Sequence, residues 1–222
     1  MVDLRKLRPS NITSAEYSHI LLALFWPAFG FCFWLLEVLR PASACYPVWC
    51  PLDDRIPFCE LFMIPYLFWF VFLVGMNLYL GLFDPGAFRR VMRFIMITYG
   101  GRLLIYAICP TCQELRPETF PRDNLLTRWV ADFYDFDTNT NVCPSLHAVG
   151  SFAVAFGAWD TRRFRKWGWR IAFGVTACVI AISTVFVKQH SILDVFWAVV
   201  LSAAAYVIVY RLPHRRKMPE SN

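Results

Sequence analysis

Six long apolar blocks constrain this chain more than any other feature. They span about 17–39, 58–83, 91–108, 144–159, 171–187 and 192–212. A bilayer core about 30 Å thick needs roughly 20 consecutive apolar residues per helix. Each block reaches or approaches that length, and none carries the amphipathic stripe of a soluble helix. Overall the chain is 58% hydrophobic and 18% aromatic, outside the range of an ordinary soluble domain. Pro27, Pro65 and the Gly100-Gly101-Arg102 interruption are tolerable, because neighbouring helices can satisfy freed backbone groups. The fourth block is short and rich in Ala and Gly, which permits close helix packing. There is no internal repeat or linker, so one domain over 1–222 is expected.

The basic residues set the expected orientation. With the N-terminus inside, four segments face the cytoplasm, holding Arg5 to Arg8, Arg89 to Arg93, Arg162 to Arg170 and Arg211 to Lys217. They contain fifteen of the 22 Lys and Arg residues. The intervening segments keep the acids Asp53, Asp54, Glu114, Glu118, Asp123, Asp132, Asp135 and Asp137. The positive-inside rule then places both termini in the cytoplasm. The expected fold is all-α, a polytopic membrane protein built as a six-transmembrane helix bundle. Its net charge of +6 belongs to anionic membrane lipid. No zinc-finger, helix-turn-helix or RNA-binding pattern points to nucleic acid. Ala42-Ser43-Ala44 resembles a signal-peptidase site, but the preceding apolar core is longer than a signal's, which favours a retained helix.

Of eight cysteines, Cys32 and Cys178 fall within helices as packing residues. Cys45, Cys50, Cys59, Cys109, Cys112 and Cys143 lie at the outer face, where disulfides can form, with connectivity unreadable. Cys109-x-x-Cys112 is half a zinc site without a second half, so no metal is expected.

Two stretches carry chemistry. Cys143-Pro144-Ser145-Leu146-His147 opens the fourth helix, with Pro144 suited to the first helical position. Free N–H groups and the dipole of a helix start attract an anion. Ser145 adds a hydroxyl and His147 a transferable proton. The second stretch, 183–194, ends the fifth helix and begins the sixth. There His190 and Asp194 stand four apart, so on a helix they share a face. A carboxylate bound to one imidazole nitrogen leaves the other as a nucleophile. The topology brings both histidines to one membrane level. Individually each has a plainer reading: a satisfied helix-start polar group, an interfacial imidazole, a capping Pro-Ser pair.

Pro144-Ser145-Leu146-His147, then Ser183, His190 and Asp194, resemble the type 2 phosphatidic acid phosphatase superfamily. Leu146, where phosphatases commonly carry Gly, resembles the inositol phosphorylceramide synthase branch. The resemblance implies that His190 attacks phosphorus to form a phosphohistidine, Asp194 orients it, and His147 protonates the leaving oxygen. It also implies phosphate binding by Ser145, a place for Ser183 in the third motif, and no cofactor. Arg116-Pro117 fits the end of the family's first motif, but Cys109 stands where Lys is usual, and Thr184 replaces the Arg that follows Ser183. Lys188, Arg122 and Arg102 are the candidate replacements for those cations. A membrane-embedded Arg102 is functional by default unless it pairs structurally, for instance with Glu37.

Within the outer loop 110–142, Leu125, Leu126, Trp129, Val130 and Phe133 share one helical face, with Asp123 or Asn124 as cap. This segment is expected to lie in the membrane interface, as an anchor or as a rim for a lipid headgroup. The implied activity is hydrolysis of a lipid phosphate or diphosphate at the outer face of the cell membrane. Transfer of a phospho-headgroup to a lipid alcohol is the alternative. A transporter, or a haem protein ligated by His147 and His190, ranks below both, since neither needs Ser145 or Asp194. Expected partners are a lipid phosphate substrate and membrane lipids. Nothing in the sequence sets an oligomeric state.

Overall fold

The computed structural model describes residues 2–39 and 45–212. The signal-peptidase-like residues 42–44, His214 and the bases at 215–217 lie outside the described residues. The described chain is all-helical apart from one two-residue strand pair. Helix α1 is Phe25–Leu39, α2 Pro51–Arg55, α3 Met63–Phe83, α4 Pro85–Ile108, α5 Leu125–Phe136, α6 Leu146–Asp160, α7 Trp167–Phe186 and α8 Ile192–Tyr206. Strands β1 (Tyr46–Pro47) and β2 (Thr111–Cys112) pair in parallel, and a Cys45–Cys112 disulfide joins them.

Five helical runs are long and apolar enough to cross a membrane: Ile20–Leu39, Glu60–Phe83, Pro85–Ile108, Trp167–Phe186 and Ile192–Arg211. These give the molecule its membrane-protein character. The fourth apolar block differs from its expectation. It forms only the 15 residues of α6, a length of about 22 Å at 1.5 Å per residue. Pro144 is not its first helical residue. The Cys143–Pro144 peptide is cis, and the helix begins at Leu146 because the Ser145 hydroxyl caps the Ala148 N–H.

Helix α6 is the centre of the bundle, packed against α3, α4, α7 and α8. Ala148, Ser151, Ala153, Val154 and Ala158 are fully enclosed. Two glycines make this possible. A Cβ on Gly150 would stand 2.6 Å from the Tyr99 hydroxyl, and one on Gly157 would stand 2.5 Å from Val91 Cγ2. Neighbouring helices therefore touch the α6 backbone where glycines leave room.

The Gly100-Gly101-Arg102 sequence does not break α4, which runs unbroken from Pro85. Asp84 caps it, accepting from the Ala87 N–H at 3.0 Å, with Pro85 where its missing N–H costs nothing. Pro27 likewise sits in the first turn of α1, and a 3-10 turn over Ile20–Leu24 precedes it.

Contacts sort the molecule into two ends. At one, Val2 N–H donates to Leu82 O at 2.8 Å, Arg89 to Ser18 at 3.0 Å and Thr161 to Asp84 at 2.8 Å. Arg90 also pairs with Asp160 there. The other end gathers α2, the strand pair, α5 and the starts of α6 and α8. Cys32 and Cys178, expected to pack inside, are exposed on the bundle surface.

Candidate functional site

Three local devices fix the site. At the start of α8, Ser191 is the cap and Asp194 closes a capping box, accepting from the Ser191 N–H at 3.0 Å. The same Asp194 Oδ2 lies 3.0 Å from His190 Nδ1. A carboxylate only accepts, so Nδ1 carries the proton and Nε2 keeps its lone pair. Before it, the chain reverses through Lys188, whose φ of 56° is in the left-handed region. The N–H groups of Gln189 and His190 both return to Thr184 O, at 3.0 and 3.1 Å. Across the site, Ser145 N–H donates to Asp194 O at 3.1 Å, tying the start of α6 directly to that of α8.

These constraints put the His147 and His190 rings 6.2 Å apart, centroid to centroid, at 61°. His147 is stacked on Tyr66 at 4.2 Å and lies 4.3 Å from Trp69. Its Nε2 is buried without a partner among the described residues. Both histidines line a cavity of about 160 Å³ with Arg102, Asp137, Gln189 and Asn141. Aromatic residues, Phe33, Trp69 and Phe133 among them, form one part of the remaining wall, and Thr138, Thr140, Val142 and Leu146 the other.

Arg102 is the cation the fold brings to the cavity. One Nη donates to Asn141 O at 2.6 Å, and the guanidinium lies 4.4 Å above the Tyr106 ring. Its Nε and other Nη are buried and unpartnered among the described residues. The alternative pairing with Glu37 does not form. Glu37 instead accepts from Thr138, Thr140 and Asn141, bracing the loop beside the cavity.

The other candidates are held elsewhere. Lys188 donates to Asp53 O at 2.8 Å and Ile56 O at 2.6 Å. Burial holds its ammonium below the usual lysine range. Arg116 bonds Tyr134 O at 2.9 Å, Asp137 O and the Gln189 side chain at 2.7 Å, so it bolts α5 to the His190 turn. Arg122 is exposed and pairs with Glu60 at 3.1 Å. The Ser183 hydroxyl donates to Ile180 O at 2.6 Å, within its own helix. Ser145 is fully buried, its N–H on Asp194 and its oxygen on Ala148. The first-turn N–H groups of α6 that neither bond uses are those of Leu146 and His147.

Sequence reasoning missed three residues. Asp53 in α2 accepts from the Ser191 hydroxyl at 2.6 Å and the Ile192 N–H at 2.9 Å, holding the α8 start from far upstream. Asp137 lines the cavity and accepts from the Tyr66 hydroxyl at 3.3 Å, and burial raises its carboxyl above the usual range. Gln189 lines the cavity with its Nε2 unpartnered among the described residues. Only Asp137 left a signal, as an acid among aromatics. Burial, with Asp194 beside it, pushes the Cys143 thiol up to about 12.

The family model described as the PAP2 superfamily matches residues 90–218. The chain belongs to that superfamily. The match covers both histidines, Asp194, Arg102 and α6 to α8, while Tyr66, Trp69, Asp53 and Glu37, which brace them, lie before it. PAP2 membership supports a phosphatase-type enzyme acting on lipid phosphates. No curated protein and no solved structure matches the chain.

Proposed function

We propose that this PAP2 protein is an integral-membrane phosphatase that hydrolyses a lipid phosphate or diphosphate through a phosphohistidine. What carries the reading is the pair of imidazoles 6.2 Å apart across a cavity edged by nitrogens of Arg102, His147 and Gln189 that have no partner among the described residues. Buried polar atoms without partners are rare and call for a ligand or water. His190 Nε2 attacks phosphorus, and the bond from phosphorus to the leaving oxygen breaks. His147 gives that oxygen a proton and Asp194 steadies the charge formed on His190. Water then attacks the phosphohistidine, returning a proton to His147 and freeing phosphate. Arg102 and the first-turn N–H groups of α6 face the equatorial oxygens.

The proposed setting is a six-span bundle with α6 as the short central span, both termini cytoplasmic and the site outside. The partition of charge supports it, with Arg and Lys clustered at the end opposite the site. Reconstituted protein supplied with phosphatidate, phosphatidylglycerol phosphate or a polyprenyl diphosphate should release phosphate from at least one. An acid-labile phosphoryl label should be trapped on the wild type and be absent from His190→Ala. Phosphate release by His190→Ala at the wild-type rate overturns the mechanism.

One observation favours the second reading, headgroup transfer. Arg102 is the cation lining the cavity, Asp137 lines it too, and Lys188, Arg116 and Arg122 are bound elsewhere. A phosphodiester brings one negative charge where a monoester brings up to two, and so needs fewer cations. Added lipid alcohol should then divert product from free phosphate to transferred headgroup.

A further inference from the structure

A cavity of about 1,140 Å³ opens at the end of the bundle away from the histidines. Helices α7 and α8 pack mainly on α6 and only lightly on each other, so α6 forms a floor between two walls. Phe152, Ala155 and Phe156 pave the floor, while Val175, Val179, Val199 and Ala203 face in from the walls. The charged groups collect at one end, where α7 begins and the π-helical continuation of α8, Val207–Arg211, finishes. Arg170 and Arg211 line the cavity there. Arg170 Nε and the Ser202 hydroxyl are buried without partners among the described residues, and Ser202 is only 2% exposed. Asp160 also lines this end, but its charge is taken by Arg90.

We infer that this groove holds a non-substrate anionic phospholipid, its phosphate between Arg170 and Arg211 and its acyl chains along α6. Three observations commit it to that occupant. The volume exceeds the ~300–1,000 Å³ of pockets that take drug-sized ligands. The apolar length ends in two cations without a carboxylate pair among the described residues, which complements an anionic headgroup at the membrane surface. Trp167 and Tyr206 stand along the walls and Trp159 on the floor. Helices of a second copy associate through small residues that let backbones approach, and these aromatics hold such a helix off, whereas flexible chains fill the irregular space.

Native mass spectrometry of the purified full chain, given phosphatidylglycerol or phosphatidylcholine, tests the site. Phosphatidylglycerol should be retained at one per chain under conditions that strip phosphatidylcholine. Arg170→Gln with Arg211→Gln should weaken retention about thirtyfold. Ala203→Trp, which fills the groove and keeps both arginines, should expel the lipid as well, so the result does not depend on the double variant folding. Arg102→Met, in the histidine cavity, should leave retention unchanged. Equal retention of both lipids, loss through Arg102→Met, or a lipid-free dimer abolished by Ala203→Trp each overturns the inference. The readout is binding, so it stands or falls separately from catalysis.

Discussion

Arg102 concentrates the chemistry of this site in one side chain. Two of its donors have no acceptor among the described residues, in a cavity that also holds both histidines. Arg102→Met should therefore lower kcat/KM about 10²- to 10³-fold, as expected for loss of a preorganised donor to developing charge. Arg102→Lys should recover only part, because a single ammonium cannot reproduce the planar fork. Lipid phosphate turnover in detergent micelles measures both. His147→Ala should cost about 10²- to 10⁴-fold, the usual range for a positioned acid. Asp137 gives the pH dependence. Burial raises its carboxyl, so ionising it costs the fold. Its share of stability is highest below the unfolded carboxylate value, about 3.9, and falls as pH rises through the raised folded value. Asp137→Asn should flatten the fall of the thermal-stability profile that begins above the unfolded carboxylate value, about 3.9, and an unchanged slope would dissociate Asp137 from it. At this scale the sequence was half legible. The pairing of His190 with Asp194 could be read from their spacing, although His190 lies just before α8 and not on it. Lys188 could not, since a left-handed turn sends its ammonium to the carbonyls of residues 53 and 56.

The elements were legible where pattern is local. Long apolar runs give α3, α4, α7 and α8, and the boxes Asn124 with Thr127 and Ser191 with Asp194 mark two helix starts. Helix α5 lies where amphipathicity placed it. Val130 is buried while Leu125 and Trp129 of the same stretch stay exposed. What could not be read was tertiary: Asp53 clamping α8, Glu37 bracing 138–141, and the disulfide partner of Cys112. None of these pairs leaves a periodic trace in the chain. The boundary of α6 was misplaced for a local reason, because Ser145 outcompetes Pro144 as the start signal. Gly150 and Gly157 give this element its own prediction. Gly157→Val should overpack the α4 contact and cost about 1–3 kcal/mol, read as a lower unfolding midpoint. Gly150→Val should also press Tyr99 and Trp69 toward His147 and reduce turnover.

Across the whole molecule, charge and cysteine exposure give a test of orientation. Cys109 is exposed at the histidine end, whereas Cys143 is partly buried with its thiol pushed up to about 12. On the proposed topology, a membrane-impermeant maleimide added to intact cells at pH 7.5 should label Cys109, and Cys109→Ser should remove that label. Cys143 should stay unmodified, because the thiolate is the reactive form. Labelling of Cys109 only after permeabilisation would reverse the topology. The 22 Å of α6 also bears on how substrate arrives. A hydrocarbon core is about 30 Å deep, and the far end of α6 is anchored through Asp160 and Thr161 to the loop that starts α4. On the proposed six-span topology, the imidazole carried on its first turn would sit beneath the headgroup plane. The lipid substrate proposed above would then slide in edgewise with its tails still solvated by neighbours, and the reaction would never have to lift a greasy molecule into water.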